Sequence, residues 1–338
     1  LEKNPSVAAE QAGIEAAEAR VQQARAGFYP HLRFSESYTR SNNPVFAFST
    51  LLLQRRFTMD DFAINRLNSP GSLQNFQSQL SAEQLVYDFG SRGHQVRAAQ
   101  AGRSIAETGA DANRLRVMDS VLRSYLAALL AEQAVETARQ AEKSAGVSRD
   151  RAVAMREAGL ATDADVLSIE VHLAEVREQV VRGEANLQVA HASLNEALGL
   201  PLDTVHQLRT RLLPLEATRE PVADLEQSAL RARPETRQIA LAEGAAQAQA
   251  RAARASLLPK VYLRGALEAN RGTYVTNAGG NWTVAGALEW NFSTGRRDLW
   301  QARESEAIGR RTAADSQSLA ARVKVEVRRA WHESNAAR

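Results

Sequence analysis

The sequence predicts a mainly α-helical fold with a smaller β part, and three observations predict it. Alanine supplies 61 of the 338 residues while aromatics make up only 6%, which suits long, closely packed helices better than an ordinary globular core. Residues 91–200 contain no proline, so the helices there can run far beyond the usual length. Four segments alternate apolar and polar residues with the period of a strand.

These elements recur in a duplicated order. Ala24-Arg25-Ala26-Gly27-Phe28-Tyr29-Pro30 returns as Ala253-Arg254-Ala255-Ser256-Leu257-Leu258-Pro259 at an offset of 229, and Pro5 matches Pro234 at the same offset. Tyr87-Asp88-Phe89 returns as Trp290-Asn291-Phe292 at an offset of 203. The offset falls by 26, so the loop of the first copy is longer by that much. The first repeat spans 4–233 and the second, incomplete, 234–338. A full second copy would need roughly 70 to 100 residues more by the same spacing.

In the first repeat a helix is expected over 5–28, then strands over about 30–40 and 76–88. The loop between them, from about Thr39 to Asn75, carries an unusual apolar patch, Phe46-Ala47-Phe48 with Leu51-Leu52-Leu53. Gly90 marks a strand-to-helix turn into a long helix over 91–158, rich in Ala, Arg, Glu, Gln and Leu, all good helix formers. At 1.5 Å per residue it would be about 100 Å long. Within it Leu115, Met118, Leu122, Tyr125 and Leu129 step by three and four.

Gly159 suits the left-handed residue that ends a helix, and Thr162 with Asp165 three places on signals the start of the next. That helix, 162–198, keeps a 3-4 rhythm through Val166, Ile169, Leu173, Val176, Val180, Gly183, Leu187, Ala190, Leu194 and Ala197. Such a seam implies a left-handed antiparallel hairpin with a tight turn. Pro201, Pro214, Pro221 and Pro234 break up 201–233, a small mixed belt region. The second repeat brings a helix over 234–257, strands over about 260–270 and 282–292, a second strand-to-helix turn at Gly295, and a long helix over 296–338.

The alternating segments have a polarity that suits two environments. Val261, Leu263, Gly265, Leu267 and Ala269 share one face; Trp282, Val284, Gly286, Leu288, Trp290 and Phe292 share another. In the first copy Leu32, Phe34 and Tyr38 alternate, with Glu36 interrupting them; Phe76, Leu80, Ala82 and Val86 do the same in its partner. Such faces fit the half-buried side of a soluble sheet. They also fit a membrane barrel, whose apolar band of about 25 Å is edged by aromatics. Trp282 and Trp290 are about 26 Å apart along a strand, and Tyr87 is a further interface candidate. Two hairpins cannot close a barrel by themselves, so membrane strands would require several chains.

Little else in the sequence points to chemistry. The 42 basic and 39 acidic residues leave a net charge of +3, against a nucleic-acid partner. Without cysteine there are no disulfides, thiolate metal sites or cysteine nucleophiles. Six histidines, His31, His94, His172, His191, His206 and His332, have no ligand spacing, and no metal or cofactor is expected. Phosphate loops and nucleophile elbows are missing, so the chain reads as a non-enzyme. No run of 18 apolar residues exists to form a membrane-spanning helix. The opening Leu1-Glu2-Lys3-Asn4-Pro5 reads as the interior of a mature protein, with any export leader removed or not included.

Taken in order, these motifs make the chain resemble the outer-membrane efflux proteins, the TolC-like channel-tunnels of Gram-negative bacteria. The resemblance covers essentially the whole chain. It rests on the duplication, on Phe28-Tyr29-Pro30 and Leu257-Leu258-Pro259 leading into strands, and on Tyr87-Asp88-Phe89-Gly90. It rests also on Ala158-Gly159-Leu160-Ala161-Thr162-Asp163 and Leu198-Gly199-Leu200-Pro201. It implies a homotrimer in which each chain adds four strands to a twelve-stranded barrel in the outer-membrane lipid, with a helical tunnel in the periplasm. It further implies a passive exit duct served by a periplasmic adaptor and an inner-membrane pump. The adaptor contact carries over to Gly159, Leu160, Ala161 and Thr162. Small-molecule or metal efflux is the favoured cargo; protein secretion through the same kind of duct and a soluble periplasmic coiled-coil scaffold or adaptor are the alternatives.

Overall fold

The computed structural model describes residues 4–210, 220–275, 279–291 and 295–336. The opening residues 1–3, the middle of the belt region and Phe292 lie outside them. The chain is mainly helical with one small antiparallel sheet of order β1-β2-β3-β4. Contacts divide it into two compact units, each drawn from several stretches of the chain.

The unit of residues 17–104 and 239–317 holds the sheet. Its strands are β1 (His31–Ser41), β2 (Leu73–Tyr87), β3 (Lys260–Arg271) and β4 (Gly279–Glu289). Between β1 and β2 the expected loop is folded: helix α2 (Pro44–Leu53), a 3-10 turn (Met59–Phe62) and a short helix α3 (Ile64–Asn68). Asn43 starts α2, its side-chain oxygen accepting from the backbone N–H of Val45 and Phe46, with Pro44 in the first turn. That is a strong start signal, and the apolar patch is therefore helical.

Four helices meet the strands: α1 (Pro5–Ala26) and α7 (Pro234–Ala255) lead into β1 and β3, and α4 (Ser91–Glu157) and α8 (Arg297–Ala336) follow β2 and β4. The helices before the strands end two residues earlier than expected, at Ala26 and Ala255. There Phe28, Tyr29, Leu257 and Leu258 close turns through their backbone N–H groups onto carbonyls three residues back. The fourth strand runs over 279–289 in place of 282–292, so Trp290 lies beyond it.

The other unit, residues 1–16, 105–238 and 318–338, is built on the hairpin of α4 and α5 (Asp163–Leu198). Val166, Leu173, Val176, Val180, Leu194 and Ala197 of α5 are buried, as are Ala128, Leu129, Val135, Ala145 and Ala152 of α4. Gly183 is a tight point of this seam: a Cβ there would lie 3.3 Å from Val135 Cγ2, so a large side chain would crowd the contact between the helices. Leu115, Met118 and Leu122 of α4 remain more than half exposed.

Asn195, fully buried, closes the far end of α5. Its amide donates to the Leu202 and Thr204 carbonyls at 2.8 Å each, and its oxygen meets His206 Nε2 at 2.6 Å. Of the expected mixed belt, residues 211–219 lie outside the described residues. Residues 201–210 carry no helix or strand, and 220–233 contribute helix α6 (Val222–Ala232). The Glu226 carboxylate of α6 bonds Arg328 of α8.

Candidate functional site

The strand register sorts the sheet into two chemically opposite faces, since residues directly paired across strands share a face. One cross-strand row is Phe34, Leu80, Leu267 and Trp282; the next is Leu32, Ala82, Gly265 and Val284. This face is apolar and bare: Leu32, Phe34, Leu267, Trp282, Val284 and Leu288 are each 59% or more exposed. A soluble sheet hides such a face, whereas a lipid-facing one leaves it outward.

The opposite face pairs Ser35 with Gln79 and Glu268, and Arg33 with Ser81, Ala266 and Thr283. Arg264 on this side bridges the carboxylates of Glu83 and Glu289. A face of such polar groups suits water.

Aromatic rings edge the apolar face. At the end near α2, Tyr38 and Phe76 are paired with centroids 4.8 Å apart, and Phe76 meets Tyr274 edge-on at 5.9 Å. Arg271 lies over Tyr274 and donates to Glu36 at 2.9 Å, so the Glu36 that interrupts the alternation is neutralised on the spot. At the other end a register shift between Leu85 and Tyr87 brings Tyr87 into line with Val261 and Leu288 on the apolar face. The rows of Val261 and Arg271 are ten residues apart on β3, about 33 Å along the strand. A tilt of about 40° reduces that to about 25 Å, the height of a barrel's apolar band.

Of the three aromatics singled out from the sequence, Tyr87 stands at one end of the apolar face. Trp282 pairs with Leu267, well inside it. Trp290 shares no strand with Trp282; its indole N–H donates to the Leu257 carbonyl at 3.1 Å.

Both strand-to-helix turns use left-handed backbone. Gly90 has φ +83° after Phe89 at +53°, and Gly295 has φ +62° before Arg296 at +64°. The first turn is held by a pair that the sequence did not advertise. Asp88 and Arg92 are both buried; the Asp88 carboxylate accepts from the Arg92 guanidinium at 3.0 Å and from the Gly90 and Arg92 backbone N–H groups. Arg92 also donates to the carbonyls of Gly27, Leu85 and Val86, and stacks over Phe28. One guanidinium thus ties the end of α1, the bulge of β2 and the start of α4.

The hairpin turn between α4 and α5 presents the remaining candidates. Gly159, at φ +72°, donates to the Arg156 carbonyl and Leu160 to the Met155 carbonyl. This Schellman pattern normally lets the next residue pack back on its helix. Leu160 does so little, keeping 74% of its surface exposed. Thr162 opens α5 with a capping box: its hydroxyl accepts from the Asp165 N–H while the Asp165 carboxylate accepts from Thr162. Those two bonds, the hydroxyl first and the backbone second, hold the Asp165 carboxyl below its ordinary value. Gly159 and Leu160 are exposed, and Ala161 is half-exposed beside them.

Among the described residues no three His, Asp or Glu side chains cluster as metal ligands, and no helix is long and apolar enough to cross a membrane.

Comparison with known proteins agrees with this architecture. Nodulation protein T of Rhizobium leguminosarum bv. viciae is 29% identical over 223 residues, 65% of this chain and 45% of that protein. The chain thus matches somewhat less than half the length of that relative. The fold is similar to the CmeC outer membrane channel of Campylobacter jejuni, with TM-score 0.78 and 15% identity over 94% of this chain and 65% of that one. It is similar also to the outer membrane protein VceC of Vibrio cholerae, with TM-score 0.74 and 20% identity over 94% and 73%. The outer membrane efflux protein family profile matches residues 1–200, more than half of the sequence. The chain belongs to the outer membrane efflux protein family, whose members serve transport and not catalysis.

Proposed function

We propose that the protein is the trimeric exit duct of a tripartite export system, with its sheet in the outer membrane and its helices in the periplasm. The observation that carries this reading is the sheet: four strands, apolar and bare on one face, polar on the other. Its two edge strands, β1 and β4, are each paired on one side only. Open edges invite pairing, and three such sheets joined β4 to β1 close a twelve-stranded barrel with lipid outside and water inside. The exposed Leu115, Met118 and Leu122 of α4 then face helices of the neighbouring copies.

The channel is passive. Energy comes from an inner-membrane pump through a periplasmic adaptor, and the adaptor docks at the turn of Gly159, Leu160, Ala161 and Thr162. Leu160 is the anchor, an exposed leucine on a rigidly capped turn. Cargo is small molecules or metal ions; a duct for metals needs no ligands of its own.

The test is reconstitution of the full-length protein in planar bilayers after detergent extraction. A trimer with ohmic conductance supports the reading; a protein that stays in plain buffer without detergent overturns it.

A further inference from the structure

Helix α2 is seated on the polar face of the sheet. Ala47, Thr50 and Gln54 form its buried stripe, each 4% exposed or less. The Gln54 amide donates to the Gln74 carbonyl and to Asn75 Oδ1, both at 2.9 Å, and Asn75 donates to Asn270 Oδ1 at 2.7 Å. Asn75 and Asn270 are 7% and 0% exposed. Both project from the polar face, in the set that alternates with Phe76 and Ala269. Gly279, paired with Asn270, belongs to that face too, and a Cβ there would run into the Leu53 carbonyl. Arg55, in left-handed backbone at φ +55°, then donates to the Gly280 carbonyl at 2.8 Å. The end of α2 is therefore fastened over the water-side face at the loop end of the sheet.

The opposite stripe of the same helix is largely bare, although the Phe48 ring meets Phe57 edge-on at 5.0 Å. Val45, Phe48 and Leu52 lie about 180° around the axis from the buried stripe and are 76%, 36% and 49% exposed. An apolar stripe that faces the water-filled mouth of a channel is unfavourable unless something meets it. We propose that it meets the same stripe on two further copies of this chain, so that three α2 helices pack about the barrel axis and narrow its outer mouth.

The proposal rests on the trimeric-barrel reading, because only barrel closure turns the polar faces of three sheets toward one another. It is continuous with that interface, since α2 touches β4, an edge strand that closure must pair. Three helices about 10 Å across cover a disc of about 20 Å. A twelve-stranded barrel is intermediate between eight-stranded barrels filled by side chains and sixteen-stranded open pores, so such a disc blocks much of it.

These 338 residues have no cysteine, so with any cysteine outside them replaced, single-cysteine cross-linking is clean. In full-length protein, Leu52→Cys should cross-link copies through a short bismaleimide, while Met59→Cys, 83% exposed on the 3-10 turn, should not. The double variant Val45→Asp/Leu52→Asp, which leaves the buried stripe untouched, should raise single-channel conductance about twofold or more as the disc opens. A trimer whose Leu52→Cys form does not cross-link, or whose double variant conducts as wild type, overturns the packing of α2 but leaves the duct reading intact. A protein that is monomeric in detergent overturns both.

Discussion

Leu267 offers the sharpest perturbation, because the two environments open to the sheet predict opposite results. It lies in the middle of β3, six residues from the Val261 row and four from the Arg271 row, paired with Leu80 and Trp282 and 59% exposed. If that face meets lipid, Leu267→Arg places a charge near the bilayer midplane, at about 2–4 kcal/mol per chain. Three copies make that about 6–12 kcal/mol per trimer, comparable to the whole stability of a typical domain. If the face meets water, the change stays within about 0.5 kcal/mol. Ala266→Arg, one residue along and on the polar face, is the internal control and should be near neutral. The assay is the yield of trimer in the outer-membrane fraction, with the urea midpoint of reconstituted protein as a second reading. Trimer lost in Leu267→Arg and kept in Ala266→Arg is the expected outcome. A Leu267→Arg protein that accumulates as wild type, or becomes more soluble, would refute the assignment of this face to lipid.

Further predictions concern the turns and the seam. Arg92→Met strands the buried Asp88 carboxylate and three carbonyls, and should cost about 3–5 kcal/mol in chemical denaturation; a loss below about 1 kcal/mol would show that the pair is not holding the turn. Leu160→Asp should abolish adaptor cross-linking at the hairpin turn while trimer yield is unchanged, and unimpaired cross-linking would remove Leu160 as the anchor. Thr162→Ala should cost the start of α5 about 1 kcal/mol. For the same cap the pH dependence has a definite sign. The Asp165 carboxyl is lowered from 3.8, so its contribution is complete above that value and fades as pH falls through the lowered one. Amide exchange at Thr162 and Asp165 should accelerate only in that acid range; acceleration near neutrality would contradict the capping account. Gly183→Leu, against Val135, should lower the thermal midpoint of the α4–α5 hairpin.

The helices were legible because their signals are local. Helix-forming composition without proline, Gly159 and Thr162 at the turn, and the seam from Val166 to Ala197 all act within a few residues. The alternating strands were legible for the same reason, down to the face on which Leu263 and Leu267 lie. What the sequence hid depends on partners distant along the chain. The helical fold of 44–68 was announced by Asn43-Pro44, but nine apolar and hydroxyl residues in a row, Val45 to Leu53, conceal any period. Its seat reaches through Asn75 to Asn270, 195 residues further on, and onto Gly279. The Asp88–Arg92 pair has helical spacing, and only the Gly27 and Leu85 carbonyls reveal it as a tie between three elements. Parity with Trp282 places Trp290 on a strand face, although the ladder stops at Glu289. The bulge that turns Tyr87 to the apolar face changes that parity, and a period count has no way to register it.

The central claim is that three copies of this chain make one membrane channel, and mass measurement tests it most directly. The full-length protein should leave the membrane fraction only with detergent, and light scattering corrected for bound detergent should give three times the chain mass. A helical monomer or dimer recovered in plain buffer would contradict the account.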